Sequence, residues 1–593
     1  MMRKICGWFS PAGARRQSSS NLAAIAAAIG LLVGGDVRAA EKNDAAGKSD
    51  AADSFANKGA PSSAITDADV IKFIDEQIRK GWADAEVTPS PAATDNEWCR
   101  RLFLDVLGRL PTVGELQKFV NDKGRDKKQA LVDRLLDSDE YVEEYARNWT
   151  TIWTNLLIGR PKSARDEARD LVDRDGMQQY LRRNFLTNKP YDKFVFELVS
   201  ATGANKPGEE GYNGAVNFLL DNLQENAATA TAKTARYFLG LQVQCTQCHN
   251  HPFNDWKQDQ FWGMNAFFRQ TKALRDFQGR EIASARLENE DFAGEGGDPK
   301  EAEIYYELRN GILQVAYPTF VDGTKIDPSG YADEVNRRQE LAKLVTKSEY
   351  LGKAIANRMW AHFLGYGFTK PIDDLGPHNA PSHPELLDYL GKQFSAQGHD
   401  LRRLIRWITL SEAYSLSSRF GAKVAKNKTD DPSLGVKPLF SHFYVRQMQA
   451  EQLYESLLVA TQAEKTQSNY ADQEKSKGDW LRQFTLAFGT DEGDESTTFN
   501  GTIPQALMMF NGELIKKATS AEAGTFLYKV ATGDLKPHAR IDYLYLAALA
   551  RRPTSKEMKI ANELLAARNG NAAAAMQDIW WAILNSNEFI LIH

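Results

Sequence analysis

The sequence predicts a mostly α-helical protein, built as two multi-helical domains with a small β-hairpin insert between them. Three observations predict it. The chain has 593 residues, more than the roughly 250 to 300 that one hydrophobic core usually organises. Apolar residues recur three and four apart through most of its length, the period of one helix face. One stretch breaks that period: "EIYYELRNGILQVAYPTFVDG", Glu303 to Gly323, sets β-branched and aromatic residues on both sides of Asn310-Gly311, a pair favoured in tight hairpin turns.

The first forty residues read as an export leader. Arg3, Lys4, Arg15 and Arg16 precede the apolar run "NLAAIAAAIGLLVGG", and "VRAAE" supplies the small residues of a cleavage site. Cleavage is expected after Ala39, giving a periplasmic or secreted product. The run is shorter than the roughly 20 residues a membrane span needs, and no later segment is long and apolar enough. Cys6 lies ahead of the apolar run, so it is not a lipoprotein cysteine. Residues 40–62 are small, charged and aperiodic, the composition of a disordered tether.

Order is expected from about Thr66. "DADVIKFIDEQIRKGW", "EWCRRLFLDVLGRL", "KKQALVDRLL", "YVEEYARNWTTIWTNLL" and "ATAKTARYFLGLQVQCTQC" follow as helices of an N-terminal domain, residues 63–275. The insert spans 276–329 and opens with the acidic, Gly-rich "LENEDFAGEGGDPKEAE". A second helical domain occupies 330–593. Thr112 with Glu115, Ser382 with Glu385 and Thr554 with Glu557 have the spacing of capping boxes. "LLDSDEYVEEYARNW" loosely echoes "LVTKSEYLGKAIANRMW", which shared capping explains as well as duplication does.

Charge narrows the partners. Removing a leader of net +4 from a chain of −5 leaves −9, and there is no long basic run. That balance argues against a nucleic-acid surface. Only Cys99, Cys245 and Cys248 remain after processing, too few for a disulfide scaffold.

The chemistry concentrates in "VQCTQCHNHPFNDW", Val243 to Trp256. On an α-helix Cys245, Cys248 and His249 would leave within about 100° of one another. Cys-x-x-Cys-His is the pattern of c-type haem attachment, with two thiols for the vinyl groups and an adjacent imidazole for the iron. Two other readings stay open. A bare Zn or Fe ion needs about four ligands, drawn from Cys245, Cys248, His249 and His251, with His383, Asp374 or Cys99 completing the set. A local disulfide needs only the two thiols. His251 precedes Pro252, which disfavours helix there, so its ring serves either the helix end or a neighbouring ligand. Met264, His251, Met359, His378 and His383 are the candidates for a sixth haem ligand.

Two further groups carry titratable side chains. "PIDDLGPHNAPSHPELLD" contains Asp373, Asp374, His378 and His383, suited to acid/base or metal chemistry, although helix initiation at Ser382 explains part of it. Asp491, Glu492, Asp494 and Glu495 form an acidic loop suited to a hard cation or simply to solvent, without EF-hand spacing. No nucleotide-binding glycine loop or serine-hydrolase motif is present. The sequence leaves open whether the protein is an enzyme.

Over nearly all of its mature length the chain resembles secreted planctomycete proteins that join a cytochrome-like domain of unknown function (1549) to a planctomycete-specific C-terminal one (1553). "RRLFLDVLGRLPTVGEL", "LVDRLLDSDEY", "NKPYDKFVFELV" and "FLGLQVQCTQCHNHPFNDWKQDQFWGMNAFF" carry the N-terminal resemblance. "NRMWAHFLGYGFTKPIDDLG", "PSHPELLDYLGKQF", "HDLRRLIRWITLSEAYSLSS", "IPQALMMFNGELI" and "WWAILNSNEFILIH" carry the C-terminal one. The resemblance implies a secreted, cytochrome-like protein with an unnamed redox partner or substrate. Cys245, Cys248 and His249 match its cysteine motif, and His251, Pro252 and Phe253 extend it. Ahead of "TIPQALMMFNG" many relatives carry cysteine or basic residues where this chain has "GTDEGDESTTFNG", so a second redox or metal site is not implied there.

Overall fold

The computed structural model describes residues 65–160, 171–279, 281–419, 430–466, 469–489, 502–569 and 571–593. The leader, the tether and the acidic loop at 491–495 lie outside the described residues. What is described is mostly helical, with three small sheets.

Local signals start the helices where the chain supplies them. Thr66 caps Asp67–Asp84, its hydroxyl accepting from the Asp69 N–H while the Asp69 carboxylate accepts from the Thr66 N–H. Thr112 and Glu115 close the same box on Val113–Asn121, and Thr554 and Glu557 on Ser555–Ala567. The third expected box does not form. Pro384 occupies the first turn of Pro384–Ala396 and makes His383 the cap, which leaves Ser382 and Glu385 each one residue too early to reciprocate. Ser382 Oγ instead meets His383 Nδ1 at 3.0 Å.

The insert holds more strand than the sequence pattern suggested. β1 (Gly203–Ala204), β2 (Thr271–Gln278) and β3 (Glu281–Asn289) form an antiparallel sheet ordered β1-β3-β2. The hairpin of β4 (Ile304–Glu307) and β5 (Leu313–Ala316) stands as expected. Its turn is wider than a two-residue one, because only Gly311 is left-handed, at φ +80°. The Gly311 N–H donates to Leu308 O and the Leu308 N–H to Ile312 O, closing a five-residue loop.

The described residues belong to one compact unit. A continuous core runs from Val70 to Ile592, so the segments on either side of residue 330 share it. Helix Asp67–Asp84 packs on Pro384–Ala396 and Leu401–Thr409, and Tyr191–Ser200 packs on Arg337–Lys347. β6 (Arg446–Gln447) pairs with β7 (Leu591–Ile592), returning the chain end to its middle.

Four fully buried arginines cross these joins. Arg100 donates to the carbonyls of Leu591 at 2.9 Å, Phe589 at 3.0 Å and Glu588 at 3.2 Å. Arg101 reaches the carbonyls of Tyr414 and, at 3.0 Å, Leu416, with its guanidinium 3.5 Å above the Phe443 ring. Arg337 donates to Ala266 O, Ala302 O, Pro328 O and Ser329 O. Arg338 donates to Val199 O, Ala201 O and Asn289 Oδ1. Burial lowers the Arg338 guanidinium to about 9 and the other three to about 10, so all remain charged at neutral pH.

Truncating Arg338 to Ala leaves two buried carbonyls and an amide oxygen without their donor. Its expected cost is about 3 kcal/mol, read as a lower denaturation midpoint. Lysine should not restore it, because one ammonium cannot span acceptors on three residues as the guanidinium fork does. His383 gives a pH test. Its ring is 7% exposed and burial lowers it from 6.5 to about 4. The unfolded chain therefore binds one more proton than the folded chain between those values. Stability from this group is full above pH 6.5 and is lost as pH falls toward 4, by about 3 kcal/mol in all. His383→Gln should flatten that part of the stability profile in calorimetry at stepped pH.

Candidate functional site

The segment that ends in the cysteine run does not continue as one α-helix. Gln224–Thr234 passes into a π-helical turn, Ala235–Leu239, and stops at Gly240, which is left-handed at φ +66°. Only glycine fits there, since a Cβ would also stand 2.8 Å from Leu375 Cδ1. Three residues on, the chain forms a single 3₁₀ turn, Gln244–Gln247, with Cys248 as its C-cap. The shared face expected from α geometry is thus supplied by a different turn. Residues three apart stack on a 3₁₀ helix, and Cys245 and Cys248 are both exposed, unpaired thiols.

The turn is anchored from beneath. Thr246 is fully buried and its hydroxyl donates to Val243 O at 2.5 Å. Gln247 O accepts from Trp262 Nε1 at 3.1 Å and from Gln258 Nε2 at 3.2 Å. The same Gln258 amide reaches Glu307 O at 2.9 Å, tying the β4–β5 hairpin to the cysteine turn. Asn250 Oδ1 accepts the Gln258 N–H at 3.0 Å, and the His251 N–H donates to Trp256 O at 2.8 Å, which closes the loop after the turn.

His249 Nδ1 lies 2.6 Å from Asn250 O. A carbonyl only accepts, so Nδ1 carries the proton and Nε2 keeps its lone pair. His251 is wired the opposite way, because its Nδ1 accepts the Phe253 N–H at 3.2 Å and the neutral ring therefore has its proton on Nε2. Phe253 is 85% exposed beside these groups.

The "PIDDLG" loop arrives at this site from the other half of the chain. The Leu375 N–H donates to Gly240 O at 2.7 Å. Asp373, nearly buried, pairs with Arg236 of the π turn at 2.9 Å and with Arg358. His378 Nε2 meets Asp374 Oδ2 at 2.9 Å, and the His378 ring centroid lies 6.2 Å from that of His251. Asp374 Oδ1 is buried and has no hydrogen-bond partner among the described residues.

The remaining candidates lie in packing environments. His383 is wedged between Phe368 and Phe440 and against Gly81 of the first helix, with its Nε2 buried and unpaired among the described residues. Met264 and Met359 belong to the core. Cys99 is fully buried, and burial together with Glu115 and Asp95 pushes its thiol well up, out of reach of thiolate chemistry at neutral pH. Among the described residues no three His, Cys, Asp or Glu side chains converge as a metal-binding group, and no helix is long and apolar enough to cross a membrane.

The sequence offered Asp373, Asp374, His378 and His383 from the second segment. The ring brought to the cysteine loop is that of His378, whose only local signal was its place four residues after Asp374.

Residues 73–273 match the family model PSCyt2, a protein of unknown function (DUF1549), and residues 337–565 match PSD1, a protein of unknown function (DUF1553). No curated protein and no solved structure matches the chain. The cysteine turn falls in the first match and the Asp374–His378 loop in the second, and the chain belongs to the proteins that pair these two families, DUF1549 ahead of DUF1553.

Proposed function

We propose that this is an exported c-type haem protein working in extracytoplasmic electron transfer or redox chemistry, with the haem held by Cys245, Cys248 and His249. One observation carries the reading: two exposed, unpaired thiols lie three residues apart on a single anchored turn and its cap, and the next residue is a histidine whose Nδ1 is spent on Asn250 O, leaving Nε2 as a ligand. The donor set fits the group. Each thiol S–H can add across a vinyl C=C to give a thioether, while the exposed Phe253 offers an apolar surface to a macrocycle edge.

When bound, the haem would supply one-electron chemistry at a potential tuned by axial ligand, hydrogen bonding and burial. The chain's own contribution is to fix the turn through Thr246, Gln258 and Trp262, and to hold His249 in one tautomer. Unpaired thiols weigh against the local disulfide. A bare Zn or Fe ion on Cys245, Cys248 and His249 is the second reading, favoured by the approach of the Asp374–His378 pair to the same loop.

Expression with a functioning haem-attachment system should yield protein whose mass includes one covalent haem. Cys245→Ser or Cys248→Ser should leave at most one thioether and reduced loading, and His249→Ala should change the spectrum of the haem that remains. Wild-type protein with full metal occupancy and no covalent haem would replace this reading by the bare ion. For export, the amino terminus of the mature protein should be Ala40; material recovered outside the cytoplasm that still begins at Met1 would overturn the cleavage.

A further inference from the structure

We propose that the outer edge of β2 is the contact surface for a second copy of this chain, the two β2 strands pairing antiparallel about a two-fold axis at Leu274. Each three-stranded sheet then continues into that of its copy.

That edge is open. In the order β1-β3-β2 the strand has a neighbour on one side only. The Glu290 N–H donates to Gln270 O, continuing the register of β2 on β3. Main-chain groups alternate sides along a strand, so Lys272, Leu274 and Asp276 bond toward β3 while Ala273 and Arg275 aim theirs outward. Among the described residues nothing hydrogen-bonds to those outward groups. The edge is also regular. Asp276 pairs with Ser284 and Phe277 with Ile282, which puts the one extra residue, Ala283, in β3. β2 has no proline, and charged side chains are its protection against stray pairing.

Those charges select the occupant and its register. Outward main-chain groups must meet outward ones, so a two-fold pairing of β2 with itself centres on a residue. Centred on Arg275 it opposes two guanidinium groups, and centred on Asp276 two carboxylates, both destabilising. Centred on Ala273 it leaves Lys272 and Asp276 without an opposite charge. Centred on Leu274 it sets Lys272 against Asp276 of the second copy, twice by symmetry, and Leu274 against itself. All three side chains are exposed, Leu274 at 41%. Ala273 and Arg275 then exchange both hydrogen bonds with Arg275 and Ala273 of the second copy. Within its own sheet Lys272 lies opposite Glu288 and Asp276 opposite Ser284. The row across the joined sheets therefore reads Glu288, Lys272, then Asp276 and Ser284 of the second copy, with no like charges adjacent.

The test uses the full mature chain and reads its mass in solution by sedimentation velocity over a range of concentrations. Wild type should pass from monomer to dimer as concentration rises. Lys272→Asp and Asp276→Lys should each raise the dimer dissociation constant about tenfold, and the two exchanges together should return it close to wild type. That recovery separates a lost charge pair from a damaged hairpin. In the Leu274-centred register the two Leu274 residues form a non-hydrogen-bonded pair with Cα atoms about 4.5 Å apart, within disulfide reach. Leu274→Cys should therefore give a covalent dimer under mild oxidation. Lys272→Cys, with the same native cysteines but off the axis, should not. Wild type that stays monomeric at every concentration, or a dimer indifferent to the single charge reversals, would overturn the proposal. So would Leu274→Cys that fails to cross-link, or cross-links no better than Lys272→Cys.

Discussion

The structure depends on charged guanidinium groups satisfied by backbone carbonyls in its interior. A buried cation without partners is prohibitively expensive, so Arg100, Arg101, Arg337 and Arg338 can be where they are only if the segments supplying their acceptors stay in place. Those segments are remote in sequence: Glu588 to Leu591 for Arg100, Tyr414 and Leu416 for Arg101, and Val199 and Ala201 for Arg338. Each arginine thus makes one part of the chain a condition for folding another. Asp105 adds the opposite charge to the same scheme, fully buried between Arg446 and the Tyr414 hydroxyl, which donates to it at 2.8 Å.

This interlocking has a consequence for the site. The cysteine turn and the Asp374–His378 loop belong to different family segments, yet a hydrogen bond to Gly240 and an ion pair to Arg236 join them within the length of one π-helical turn. A π turn is an irregularity that helices seldom carry without a use. Here it precedes the left-handed Gly240, whose carbonyl receives the Leu375 N–H. The approach of the two loops is therefore fixed by backbone and by a buried carboxylate rather than by mobile side chains.

The contrast between His378 and His383 shows how burial sorts equivalent side chains. Both lie in one short stretch, and His383 has the better local signal, beside a proline that starts a helix. That same position drives it into the seam between Asp67–Asp84 and Pro384–Ala396, where aromatic rings surround it and desolvation keeps it neutral. His378 sits on the loop itself, with its side chain 20% exposed and a carboxylate as partner.

What the sequence determined by itself was whatever depends on neighbours a few residues away. Helical periodicity, the capping boxes at Thr112 and Thr554, the β4–β5 hairpin and the Cys-x-x-Cys-His spacing are all short-range, and all were legible. Local reading failed where two short-range rules competed. Pro384 moved the helix start past Ser382, and the left-handed Gly240 ended the helix before Cys245. It also missed β2 and β3, which pair with each other as a local hairpin and gain from upstream only the two-residue β1 against β3. Only the tertiary structure decided that the two helical blocks share one core, that Cys245 lies on a 3₁₀ turn capped by Cys248, and that His378 meets the loop of His251. The first and last need contacts between residues a hundred or more positions apart, and the turn needs its Gln258 and Trp262 anchors; such contacts are set by which buried charges and polar groups find partners, a property no local pattern encodes.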